Sequence, residues 1–290
     1  MTILKEYNFI KLTKVTWLFS LVLFIISITS ISVNKFNFGI DFTGGIIFDI
    51  NITDKSKQEQ IKDKLSLIYK NNIFQTYNDG VIIKISQQDI TSKSKDIENI
   101  TQTIKLIDSE IVFNKVDFVG AQVGDILVKN GIKSLLLSFI GIMLYIWLRF
   151  KLHFGISAIT ALIHDILILF GFISICKIKF DLTTIAAILT VVGYSVNDTV
   201  VLFDRIRENL KIYKKEKDIK EIVNISINNN LKRTLYTSIS TLFAIFPLVF
   251  STVDSLKGFS AVVMFGIIIG TYSSIFIASL LLTYKHKLLE

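Results

Sequence analysis

Apolar residues in this chain come in long unbroken runs. Six of them, at 15–33, 132–148, 154–176, 182–203, 235–253 and 261–282, are long enough to cross a bilayer, which takes about 20 residues at 1.5 Å rise each. The first run has the outline of a secretory signal, with Lys5, Lys11 and Lys14 before it and the small Ser30 and Ser32 near its end. Its apolar length of about 19 residues exceeds a signal core and predicts an uncleaved anchor instead.

The segment 34–131 between the first two runs has shorter periods. Gly45 to Ile52 reads as a strand, and 55–70 as a helix with Ile61, Leu65 and Ile68 on one face. Phe74 to Tyr77 and Val81 to Ile85 read as strands joined through Asn78-Asp79-Gly80, a hairpin signal. A second helix is predicted over 92–108 through Ile97, Ile100, Ile104 and Ile107, then a strand from Ile111 to Val119. The order β-α-β-β-α-β predicts a ferredoxin-like sandwich, two helices on one face of a four-stranded sheet. Residues 205–231 are basic but carry Ile206, Leu210, Tyr213, Ile219, Ile222 and Val223, the pattern of an amphipathic helix pair at the membrane surface. Both a solvated connector and a partner-binding surface fit it.

Charge orients the runs. The chain has 290 residues, 51% of them hydrophobic, with a net charge of +8. Its basic residues sit at the ends of the apolar runs, so positive charge here reads as membrane orientation rather than nucleic-acid binding. With the N-terminus inside, one side holds Lys5, Lys11, Lys14, Arg149, Lys151, Lys285, Lys287 and the cluster from Arg205 to Arg233. The short loops of the other side hold only Lys177, Lys179 and Lys257. The positive-inside rule then puts both termini in the cytoplasm and 34–131 outside. Cys176 is the single cysteine, so no intrachain disulfide is available and the outer domain must be held by its core.

Ionisable groups within the runs are the candidate chemistry, since each is costly in hydrocarbon unless paired or hydrated. Asn197 and Asp198 precede the charged end of the fourth run at Asp204 by about six residues, roughly 9 Å of helix. Tyr194 and Ser195 stand at i−4 and i−3 from Asp198, on its face. The fifth run opens with Arg233 and continues through Thr234, Thr237, Ser238 and Thr241, which predicts Arg233 opposite Asp198 at similar depth. Burial favours the neutral carboxyl and a nearby guanidinium the charged one, the balance of a proton relay. The same residues also fit a structural ion pair locking two helices. His164 and Asp165 lie near the middle of the third run, as a polar core or as an extension of the proton path. No second His or Cys stands at metal-ligand spacing, and no G-x-x-x-x-G-K-[ST] loop is present, so neither metal nor nucleotide is expected. Gly266 and Gly270, followed by Thr271, Ser273 and Ser274, form a small-xxx-small pattern of close helix packing. The segment Gly39 to Gly45, with Asp41 before Gly44 and Gly45, predicts a tight turn with positive φ, capped by Asp41.

The run Gly193-Tyr194-Ser195-Val196-Asn197-Asp198-Thr199-Val200-Val201-Leu202-Phe203-Asp204-Arg205-Ile206-Arg207-Glu208-Asn209 closely resembles the SecF branch of the SecD/SecF protein-export family, in the RND superfamily. Gly39 to Gly45, His164-Asp165, Leu231 to Leu235 with Thr237-Ser238, and Gly270 to Ser274 support it in the family's order along nearly the whole chain. The resemblance implies a polytopic α-helical membrane protein, an RND half-transporter with six TM helices and a ferredoxin-like α+β periplasmic domain between TM1 and TM2. Its expected organisation is 1–14 cytoplasmic, 15–33 TM1, 34–131 periplasmic, and 132–290 the TM2–TM6 bundle with a cytoplasmic amphipathic loop at 204–232. It further implies a bacterial inner-membrane location, SecD as partner in a heterodimer, and association with the SecY-SecE-SecG channel, SecA and YajC. Unfolded preprotein would be the cargo, and protons the coupling ion in place of any cofactor. By motif position Asp198 and Arg233 correspond to residues the family associates with proton conduction. One departure is Val119-Gly120-Ala121, where the family usually has Val-Gly-Pro, which removes a fixed φ where the outer domain rejoins the membrane.

Two other readings remain at this level. One is half of another proton-driven RND exporter, moving a lipid or small molecule. The other is an intramembrane aspartyl protease with Asp165 and Asp198 as its dyad, although Ser195-Val196-Asn197 before Asp198 lacks the Gly-x-Gly-Asp context of such enzymes.

Overall fold

A computed structural model describes residues 7–70, 72–77, 80–150, 152–213, 215–251 and 253–284. Six helical stretches among them are long and apolar enough to span a membrane. The first is α1 (Thr13–Asn34), entered through a short 3-10 turn at Phe9–Leu12. Next come β1 (Asn37–Phe38) and the single turn α2 (Ile40–Thr43), and then the globular domain.

That domain contains β2 (Gly45–Asn51), α3 (Lys55–Ile68), β3 (Asn72–Tyr77), β4 (Gly80–Ser86), α4 (Lys93–Lys105) and β5 (Val112–Val119). The strands lie in the order β3-β4-β2-β5, every neighbouring pair antiparallel, with the two βαβ crossovers interleaved as the alternation of the sequence predicts. Alternate residues Ile46, Phe48 and Ile50 of β2 and Val81, Ile83 and Ile85 of β4 are buried, and Ile61, Leu65, Ile100 and Ile104 of the helices close over them. Asp96 ties the start of α4 down by accepting from the backbone N–H groups of Thr91 and Ser92, both at 2.8 Å. Tyr77 pairs with Gly80, and the Asn78-Asp79 part of the predicted hairpin lies outside the described residues.

The bundle continues with α5 (Ala121–Arg149), α6 (Leu152–Ile175), β6 (Lys179–Phe180), α7 (Leu182–Tyr213), α8 (Ile219–Ile245) and α9 (Asp254–Ser273). A π-turn at Ser274–Ala278 and α10 (Ser279–Leu281) complete the last span. Pro247, the only proline, has no N–H to extend α8, and the chain tightens there into a 3-10 turn at Phe246–Phe250. Where an amphipathic helix pair is expected over 205–231, the two spans themselves extend. The helix of the fourth run continues unbroken to Tyr213, and that of the fifth begins at Ile219. Ile206, Ile219, Ile222 and Val223 are buried within this hairpin rather than turned to a membrane surface. Asn209 donates to Ser226 across it at 2.8 Å, and Asn224 and Asn228 of α8 hold the backbone at Tyr7 and Phe9.

Interior positions go to α6, α7 and α9. Gly266 and Gly270 let α9 lie directly on α7, where an added Cβ would meet Val191 at 2.3 Å and Ser195 at 3.1 Å. By contrast only 11% of the most apolar stretch of α5, and of α8, is buried, against 67% for the last span. Each of these two helices presents a long uncovered flank.

The link between domain and bundle is more built than a simple turn. β1 pairs in parallel with β6, Asn37 with Lys179 and Phe38 with Phe180. The rings of Phe36, Phe38, Phe42, Phe170 and Phe180 pack together around that pair. Gly44 has φ 73° and Gly45 φ 155°, as the double glycine predicts, and a Cβ at Gly45 would lie 2.2 Å from the carbonyl oxygen of Ile85. Asp41 does not cap its own turn as expected. Its Oδ2 accepts a long 3.4 Å contact from the backbone N–H of Leu182 at the start of α7.

Candidate functional site

Two carboxylates lie inside the bundle, each in its own set of hydroxyls. Asp165 on α6 is 2% exposed. Its Oδ2 accepts from Ser195 of α7 at 2.6 Å and from Ser273 of α9 at 2.7 Å, while Oδ1 lies 3.1 Å from Nδ1 of His164. Three helices thus meet on one acid. Nε2 of His164 is buried without a hydrogen-bond partner among the described residues. The imidazole lines a cavity of about 660 Å³ between α1, α6 and the end of the last span.

Asp198, on α7, is half-buried and turned toward α8. Oδ1 accepts from the hydroxyl of Thr234 at 3.0 Å, and Oδ2 is buried with no partner among the described residues. Thr234 in turn accepts from Asn230 at 3.2 Å. The next residue of α7, Thr199, shares a hydrogen bond with Ser274 at 2.9 Å, at the start of the π-turn. One turn earlier, Tyr194 donates to Ser238 at 3.2 Å and Ser238 bonds Thr271 at 2.7 Å. Single π-turns in helices recur at functional sites. This one adjoins Ser273, which serves Asp165, and opens with Ser274, which lies on the Asp198 side.

The predicted site residues therefore divide. Asp198 bonds Thr234 and through it Asn230, Tyr194 and Ser238 form a separate chain with Thr271 one turn away, and Ser195 and His164 gather on Asp165. Arg233 does not meet Asp198, contrary to the expected pairing. It is exposed and makes no ion pair with Asp198 among the described contacts. The cause is helical phase. The inward stripe of α8 is Asn230, Thr234 and Ser238, spaced by four, and Arg233 is rotated about 100° from it. Thr237 shares the outer face and donates to its own helix at the Arg233 carbonyl, 2.8 Å away. Asn197 is likewise exposed, on the outer side of α7. The sequence singles out Thr234 in a hydroxyl stripe and Ser273 and Ser274 beside the α9 glycines, but assigns none of them, nor Thr199, to the site. The signal available for them was a hydroxyl recurring three or four residues apart in an apolar run.

No group of three or more His, Cys, Asp or Glu side chains gathers as a metal site among the described residues. As an aspartyl dyad the two acids are poorly placed, because each is committed to different partners on different helices.

Known proteins resemble the chain over nearly its full length. The family described as "Protein export membrane protein SecD/SecF, C-terminal" matches residues 99–287, and "SecD/SecF GG Motif" matches 29–53. Protein translocase subunit SecF of Rickettsia rickettsii (strain Sheila Smith) is 43% identical over 96% of the chain and 91% of that protein. The SecF of Rickettsia bellii (strain OSU 85-389) is also 43% identical, over 98% of the chain and 95% of its own length. The crystal structure of SecDF from Thermus thermophilus, described as a translocon-associated membrane protein, superposes with a TM-score of 0.82 at 31% identity. It covers 98% of the chain, which spans only 39% of that longer polypeptide. A SecDF in a super-membrane-facing form gives a TM-score of 0.75 at 30% identity.

Proposed function

The chain belongs to the SecD/SecF family of protein-export membrane proteins, among the SecF subunits, and from that premise we propose that it is the proton-coupled SecF half of a SecD–SecF complex. Its role is that of a transport auxiliary in protein export. The observation that carries proton coupling is the carboxylate of Asp198, held at Oδ1 by Thr234, with Oδ2 buried, making no hydrogen bond among the described residues and lying beside the Ser274 hydroxyl. A proton can arrive at Oδ2 and leave again without breaking the Thr234 bond. Hydroxyls both donate and accept, so Thr199 with Ser274, and Tyr194 with Ser238 and Thr271, offer short relays beside it.

Arg233, Asn197 and Thr237 stand on outward faces of α7 and α8. A permanently charged guanidinium there needs a covering partner rather than lipid. SecD is the partner in this reading, laid along the bare flanks of α5 and α8 and supplying acidic groups toward Arg233. The basic hairpin and both termini are cytoplasmic by the positive-inside rule, and the globular domain is periplasmic, in a bacterial inner membrane. From there it would handle unfolded preprotein emerging from the SecY-SecE-SecG channel, with SecA and YajC as further associates.

The test is an export assay in cells whose only SecF is the variant Asp198→Asn. The variant is expected to accumulate and to co-purify with SecD while export that depends on the proton gradient falls. Normal export would overturn the reading.

A further inference from the structure

The domain-bearing end of the bundle carries Lys35 after α1, Lys129 and Lys133 near the start of α5, and the lysines of two short loops. Its short loops hold only Lys177, Lys179 and Lys257. All three line a single cavity of about 350 Å³, formed where the α6–α7 connection meets the start of α9. From this convergence we propose that the cavity is a binding site for the phosphate headgroup of an anionic phospholipid in the outer leaflet.

Three features fit that occupant. Lys177 ends α6 with φ 50°, a left-handed conformation that glycine normally fills. A lysine kept at such a position points to a use for its side chain. The one carboxylate lining the cavity, Asp181, is already engaged, accepting from the Thr183 hydroxyl at 2.5 Å and the Thr184 N–H at 2.8 Å where it caps α7. With Lys179 set aside because it has a partner of its own, Lys177 and Lys257 against Asp181 leave the described lining net positive. Its inner wall is apolar: Phe172 lines the cavity and stacks on Phe265 at 4.0 Å, with Ala261 beside it. A cationic rim over an aromatic wall at the end of a spanning helix matches a headgroup above and its acyl chain below. A free anion has no use for the lower half. The proposal is independent of the proton reading.

Cys176 lines the same cavity and is the only thiol in the chain, so it reports on occupancy. The full chain is reconstituted in phosphatidylcholine vesicles, with or without phosphatidylglycerol, and the rate of Cys176 modification by N-ethylmaleimide is measured. Phosphatidylglycerol is expected to slow it by roughly fivefold or more, the effect of one lysine near an anionic surface. Lys177→Gln with Lys257→Gln should abolish the slowing, and Lys177→Arg with Lys257→Arg should retain it. If the Gln pair fails to fold, Lys257→Gln alone is expected to diminish it. Absence of slowing in the native chain overturns the proposal. So does equal slowing in the Gln variants, which is bulk surface charge, or equal slowing by inorganic phosphate in phosphatidylcholine alone, which is a free-anion site.

Discussion

The substitution Gly171→Ala probes how α1 is held to the bundle. α1 lies along α6, and the closest approach is at Gly171, where an added Cβ would fall 2.2 Å from Oγ, 2.4 Å from Cβ and 2.6 Å from Cα of Ser27. A rotamer change moves only the first of these atoms. Relief of the other two requires the helix axes to part by about 1 Å, toward ordinary carbon contact near 3.5–4.0 Å. That motion also stretches the hydroxyl network three residues along. Ser30 donates to Ser174, and Ser174 reaches the carbonyls of Ser30 and Lys35, all at 3.0 Å. Overpacking costs about 1–3 kcal/mol and each of the three interhelical hydrogen bonds is worth about 0.6, so the loss should be about 3–5 kcal/mol. Mixed-micelle unfolding of the purified chain measures it. Gly193→Ala is the control, since nothing lies within 4 Å of a Cβ there. It should be neutral or stabilising by up to about 1 kcal/mol. Equal stability of the two variants would refute the close contact of α1 with α6.

Further outcomes follow from single positions. Ala121 is the first residue of α5, and Gly120 before it has φ −68° and ψ 150°, extended backbone that a following proline favours. Ala121→Pro should therefore raise stability by about 0.4–1 kcal/mol in the same unfolding assay. Burial, with the Asp96 carboxylate next to it, pushes the Tyr69 phenol from 10.0 up to about 12. Below about pH 10 both folded and unfolded states hold this proton and the domain keeps its full stability. Between about 10 and about 12 only the unfolded state releases it, so stability falls with rising pH. Unfolding measured across that interval should show the decline in the native chain and a flatter curve in Tyr69→Phe. Gly45→Ala puts a side chain at φ 155° against the Ile85 carbonyl and should cost at least about 1–3 kcal/mol, read as faster proteolysis of the domain.

Hydropathy made the six spans legible, because a bilayer admits few other patterns. Period-two and helical spacing did the same for the strands and helices of the globular domain, except that Ile68, expected beside Ile61 and Leu65, is exposed. Three things were not legible. The continuation of α7 to Tyr213 is hidden because the apolar run stops at Asp204, and beyond it the helix is stabilised by the facing hairpin arm rather than by lipid. The β1–β6 pair is two residues long and joins segments far apart in sequence, which no local period reveals. At the site, the matching level of α7 and α8 was legible and the helical phase was not. Arg233 and Thr234 lie at nearly the same level, and charge drew attention to the first, while the stripe Asn230, Thr234 and Ser238 put the second against Asp198. A guanidinium fully inside the bundle would also need more acceptors than the surrounding hydroxyls provide, which favours an outward position open to a partner.

Proton flux through the assembled pair tests the central claim most directly. Vesicles holding this chain with SecD, loaded with a pH-sensitive dye, are given a pH gradient. The native pair is expected to dissipate the gradient, and the pair carrying Asp198→Asn to hold it close to the level of empty vesicles. Flux through the Asn variant equal to that of the native pair would contradict a proton site at Asp198.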